Sequence, residues 1–152
     1  RRAALEDPIS ANLDRIPMVK GWLDSEANVQ ERVYDVVWGN ADERESGKDA
    51  KLPAVGSGVD INNGAWTSTT GDPEPVTVWT APDSCAEQGA FCCARVLEVA
   101  TPHWTAYDAK RFVVKREPGP RITLQERACT PPIAYTAVKP SRGDGCHEEA
   151  MG

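Results

Sequence analysis

The sequence predicts an all-β domain, a two-sheet β-sandwich of immunoglobulin or fibronectin type with long loops. Three observations carry that prediction. Twelve prolines and twelve glycines in 152 residues leave little room for long helices. About seven short runs alternate apolar and polar residues with the period of a strand. Turn signals such as Asn62-Asn63-Gly64, Gly71-Asp72-Pro73 and Pro118-Gly119-Pro120 separate them at regular intervals.

The run Gly89 to Val99 is expected to be the central strand, because it is the longest weakly charged, largely apolar stretch. As a strand it turns Cys92, Ala94 and Val96 to one face and Phe91, Cys93, Arg95 and Leu97 to the other. Both faces read as mostly covered. Upstream, residues 1–13 form a lead-in whose one incipient helical turn, Ala3-Ala4-Leu5-Glu6, is interrupted by Pro8. Residues 14–138 form the sandwich and residues 139–152 a polar, flexible tail.

Within the sandwich, residues 15–23 read as a strand in which Pro17 implies an edge position or a bulge. Residues 29–38 read as its hairpin partner. Val59-Asp60-Ile61 and residues 65–70 flank a turn, and residues 76–80 form a short β-branched strand. Residues 104–112 hold one helical turn, and Phe112-Val113-Val114 a short strand. Residues 122–128 are amphipathic at strand spacing, with Ile122, Leu124 and Ala128 on one face. Pro131-Pro132 breaks that run before a last strand over residues 133–138.

Composition excludes several function classes. The formal net charge is −6 and the mean hydropathy −0.48. An acidic surface argues against nucleic acid or an anionic membrane as partner. No run approaches the roughly 20 apolar residues of a membrane span. No signal peptide is visible, and the opening Arg1-Arg2 reads as a cut or processed start.

Five cysteines is an odd count, which leaves at least one thiol free or paired between chains. Adjacent Cys92 and Cys93 would face opposite ways and serve as small apolar residues. A disulfide among Cys85, Cys129, Cys146 and one of that pair is open to the chain in an oxidising compartment. No Cys or His spacing suggests zinc.

Few constellations could carry chemistry. His103 and Asp108, near Tyr107, are the weak candidates for a general acid/base pair. A histidine between a proline and a tryptophan reads more simply as a surface or packing residue. Asp42, Glu43, Glu45 and Asp49 lie in one loop but lack the calcium-loop pattern, and read as a solvated loop. Cys146, His147, Glu148 and Glu149 are consecutive and cannot easily surround one metal ion. There is no nucleophile elbow, phosphate loop or HExxH helix. Five dispersed tryptophans could bind a sugar if exposed together, and are core if buried. From the residues alone, no catalytic, cofactor-binding or metal site follows.

Several segments carry a family resemblance. They include Glu6-Asp7-Pro8, Ser10 to Ile16, Val19-Lys20-Gly21-Trp22 and Val33-Tyr34-Asp35-Val36. The series continues through Lys51-Leu52-Pro53, Val78-Trp79-Thr80, Ala94 to Glu98, Trp104 to Ala109 and Gln125 to Ala128. Together they span roughly Leu5 to Ala137 in unbroken order, which chance does not readily produce. The chain resembles the C-terminal β-rich region of a family of exported bacterial proteins of unknown function. That family is related to the PHP (polymerase and histidinol phosphatase) metal-dependent hydrolases.

The resemblance implies an upstream PHP-like barrel in the same protein, with divalent metal ions bound there and none in this chain. It implies a periplasmic or secreted location. The chain would then be a non-catalytic accessory domain packing on the barrel, with Trp104, Tyr107 and Asp108 at the interdomain contact. The alternative is a free-standing binding module for carbohydrate or protein that uses exposed aromatics. Oligomeric state is left open. Cys92 and Cys93 stand where the family usually shows tyrosines, Cys129 where it tends to have tryptophan, and His103 where arginine is usual. Smaller residues at core-like positions are expected to leave voids unless neighbours refill them.

Overall fold

The computed structural model describes residues 2–45, 52–115 and 121–138. Its strands are β1 (Arg2–Ala3), β2 (Leu13–Leu23), β3 (Val29–Trp38), β4 (Val59–Asp60), β5 (Ala65–Trp66) and β6 (Val76–Thr77). They continue as β7 (Ala90–Glu98), β8 (Thr101–Pro102), β9 (Thr123–Leu124), β10 (Arg127–Cys129) and β11 (Ile133–Tyr135). The one helix among the described residues, α1, spans Trp104–Phe112. The chain is therefore mostly β, as its composition predicts.

The strands sort into one five-stranded antiparallel sheet and three two-stranded pairs. In the large sheet the order is β3–β2–β7, with β10 and β11 following each other along the far edge of β7. The expected hairpin of β2 with β3 is present, closed by a turn in which the Asp24 carboxylate accepts from the N–H groups of Glu26 and Asn28.

The most buried element is β2 rather than β7. Eight of its residues, from Leu13 to Gly21, are buried, while on β7 only Ala94 is. Pro17 sits inside this interior strand, so it does not mark an edge. It sits where the β2–β3 register shifts, between Ile16 and Pro17, which is the bulge that lets an interior strand carry a residue without an N–H. Three charged residues and two strand-breakers hide the centrality of β2 in the sequence.

The face parity read for β7 holds. Ile16, Met18 and Ala94 form the buried cluster, with Cys92, Val96, Tyr34, Val36 and Trp79 packed against it. Cys93 lies on the opposite face, across from Val19. That second face is only partly covered, since Phe91 and Arg95 are exposed. Phe91 lays its ring over Gly21, where a Cβ would fall 2.4 Å from a ring carbon. Gly21 thus provides the space the ring needs.

Over the core face lies a thinner layer. Residues read as a lead-in run antiparallel to residues 72–77: β1 pairs with β6, and Ala4 and Glu6 donate to the carbonyls of Pro75 and Pro73. Prolines suit this edge, because only their carbonyls are needed there. Gly39 closes the end of the β2–β3 hairpin against this segment. A Cβ on it would come within 2.5 Å of the Gly71 backbone.

Three sequence expectations are corrected. Residues 104–112 form 9 residues of helix rather than a single turn. His103 caps its start, and Lys110 and Arg111 meet the negative end of its dipole. Phe112-Val113-Val114 is not a strand: Phe112 ends the helix and Val113 adopts a left-handed φ of 55° as its C-cap. Residues 122–128 are not one strand, because β9 pairs with β8 and β10 with β7. A chain that changes partners must break its ladder, here at Gln125-Glu126. The Pro131-Pro132 break is observed, and Thr130 bridges it by donating its N–H to Ala94 and accepting from the Ala94 N–H on Oγ1. Cys129 is exposed, so it occupies no core position.

Candidate functional site

The first candidate surface is α1. Thr101-Pro102 pairs with β9 and delivers the chain to His103, whose ring accepts from the Thr105 N–H at 3.5 Å. The helix is anchored on its inner side by Ala106, 1% exposed. Tyr107 packs over Gly64, and Lys110 donates to the Asn63 carbonyl at 2.8 Å. Trp104, Tyr107 and Asp108 are spaced i, i+3, i+4, so they share one helix face. Trp104 is 64% exposed and Phe112, one turn beyond Asp108, 65%. An apolar surface of that kind, uncovered among the described residues, suits a contact with another body.

His103 and Asp108 are not brought together. The His103 ring lies 5.3 Å from that of Trp104, with Nδ1 3.1 Å from Thr105 Oγ1. Asp108 is exposed five residues on, and among the described residues no hydrogen bond or ion pair joins the two. Of the loop carboxylates, Asp42, Glu43 and Glu45 are exposed, while Asp49 lies outside the described residues. Cys146, His147, Glu148 and Glu149 lie outside them too. Cys85 is disulfide-bonded, whereas Cys93 and Cys129 carry free thiols. Trp22, Trp38, Trp66 and Trp79 are half-buried, so the tryptophans form no shared exposed platform.

Two polar clusters were not legible beforehand. In the first, Lys20 is 3% exposed on the core-facing parity of β2. Its Nζ donates to the Asp83 carbonyl at 2.8 Å and carboxylate at 3.0 Å, and lies 4.9 Å from the Trp22 ring centre. The Tyr34 hydroxyl donates to the other Asp83 oxygen at 2.5 Å. Burial opposes the charge on Asp83, but hydrogen bonds from Tyr34 and Lys20 overcome it and hold the carboxyl below its usual range. Burial, then the bond to Asp83, pushes the Tyr34 hydroxyl from 10.0 up to about 12.

That shift has a pH signature. The Tyr34 contribution to stability is complete below the unfolded value near 10 and is lost as pH rises through the folded value near 12. In an alkaline absorbance titration, one of the three tyrosines is expected to ionise near 12, and Tyr34→Phe to remove that late phase. A wild-type titration complete near 10 would contradict the buried bond.

The second cluster lies on the other face of the sheet. A cleft of about 400 Å³ is lined by Arg15, Arg95, Arg121 and Arg127 together with Asp35. The register builds it: Arg127 and Arg15 flank Leu97 from the strands on either side. Arg95 follows two residues before Leu97 on the same face. Arg15 Nε lies 3.5 Å from Asp35 and 3.8 Å from Asp14, and it is buried without a hydrogen-bond acceptor. Burial raises the Asp35 carboxyl, with Asp14 adding to the effect and Arg15 opposing it.

Behind this cleft, the Arg44 guanidinium meets the Asp14 carboxylate at 2.9 Å and donates to the carbonyls of Gly39 and Pro53.

No curated protein and no solved structure matches the chain. A family model does, over residues 2–137, which covers most of the sequence. The chain belongs to the family described as "Protein of unknown function (DUF3604)".

Proposed function

We propose that this chain is a non-catalytic accessory domain of a PHP-like metal-dependent hydrolase and docks on a barrel encoded upstream. The observation that carries the reading is the face of α1 that presents Trp104, Tyr107 and Asp108, with Trp104 64% exposed. A tryptophan flanked by a tyrosine and a carboxylate suits an interdomain contact, where an apolar centre is ringed by polar groups. The helix is stiffened beforehand by its cap and by the Asn63-Gly64 turn, which lowers the ordering cost of docking.

The packing of Ala4 and Trp79, which adjoin the β1–β6 pair, against the core cluster supports a further reading. In it, the large sheet and the layer of this pair form an irregular immunoglobulin- or fibronectin-like sandwich. The resemblance also implies export to the periplasm or beyond. Divalent metal ions would be held by the barrel. Among the described residues no three His, Cys, Asp or Glu side chains come together as a ligand set.

The test is the metal content and the phosphoesterase and amidase activity of the purified chain. Background activity and substoichiometric metal are expected. Tight stoichiometric metal with turnover would falsify the reading. A glycan titration followed by tryptophan fluorescence addresses the binding-module alternative, where saturable quenching would displace the accessory role.

A further inference from the structure

We propose that the arginine-lined cleft on the open face of the sheet is a binding site for a small organic oxyanion, a phosphate ester or a carboxylate with a compact apolar body. The site does not depend on whether α1 docks. Its volume, about 400 Å³, suits a small ligand. Four arginines face one aspartate there, on a chain whose formal net charge is −6.

Like charges gathered on adjacent strands destabilise a sheet. Here the β2–β7–β10 register places Arg15 and Arg127 on either side of Leu97, with Arg95 on the same face. Among the described residues the ion pairs are made by Arg15, Lys20, Arg32 and Arg44, none by Arg95, Arg121 or Arg127, and Arg15 Nε is buried without a hydrogen-bond acceptor. An oxyanion supplies what the cluster lacks, because guanidinium forks bind phosphate and carboxylate oxygens in pairs. The apolar floor at Leu97 and Leu124 would take the body of such a ligand. A local rule broken without compensation among the described residues marks a site built for something else.

The experiment titrates the full chain at low salt with phenyl phosphate and, separately, benzoate, followed by calorimetry. Saturable binding of at least one is expected. Arg95→Gln with Arg127→Gln should weaken it at least about tenfold, since each fork donates charge-assisted bonds. The control Lys110→Gln, which removes one positive charge outside the cleft, should change it less than about twofold. Arg127→Lys keeps the charge, loses the fork and should fall between, which keeps the test readable if the double variant does not fold. Binding of phenyl phosphate alone assigns a phosphate ester, and binding of benzoate alone a carboxylate. Failure of both to bind, or binding that the arginine variants retain, overturns the proposal.

Discussion

Arg44→Met is expected to lower the stability of the chain by about 3–5 kcal/mol, the usual result of stripping one partner from a buried ion pair. Arg44 and Asp14 side chains are 5% and 6% exposed and 2.9 Å apart. Losing the guanidinium strips the short contact from a buried carboxylate and leaves it the longer one to Arg15 Nε, at 3.8 Å. It also removes the donors to the carbonyls of Gly39 and Pro53, through which one side chain ties the start of β2, the end of the β2–β3 hairpin and the following loop together. Adding Asp14→Leu should recover part of the loss, because the carboxylate's desolvation disappears, but not the part due to the carbonyls. Urea denaturation with an unchanged slope measures both effects. A loss below about 1 kcal/mol would place the pair in the class of exposed surface bridges.

Met18→Ala is the second large effect. Met18 is 0% exposed and sits between Ile16 and Ala94 at the centre of the buried cluster. Truncation removes transfer energy and leaves a cavity, together about 2–5 kcal/mol. Met18→Leu, which nearly conserves volume, should lose less than about 1.5 kcal/mol. Typical domain stabilities are about 5–15 kcal/mol, so the alanine variant should unfold at markedly lower denaturant. Equal midpoints for the alanine and leucine variants would show that β2 is not the packed centre.

Local signals explain what was legible. The β2–β3 hairpin, the parity of Cys92, Ala94 and Val96, and the break at Pro131-Pro132 follow from alternation and turn residues within a few positions. So does the shared face of Trp104, Tyr107 and Asp108 once the segment is helical. The length of the helix is hard to read locally because its cap is a histidine and its C-cap a valine, neither a strong signal. The centrality of β2 was hidden because its charges are satisfied from far away. Asp14 meets Arg44, and Lys20 meets Asp83, 63 residues on. The arginine cleft needs the strand order: until β10 and β2 are known to flank β7, Arg15, Arg95 and Arg127 are three scattered cations.

The docking role proposed for α1 is tested most directly by the accessibility of Trp104 to an aqueous quencher. The chain alone should be compared with a polypeptide extended upstream of Arg1. In the chain alone Trp104 should be freely quenched, as its 64% exposure requires. In the extended protein it should be shielded, and Trp104→Ala should abolish the difference. Equal quenching of Trp104 in both would contradict the account.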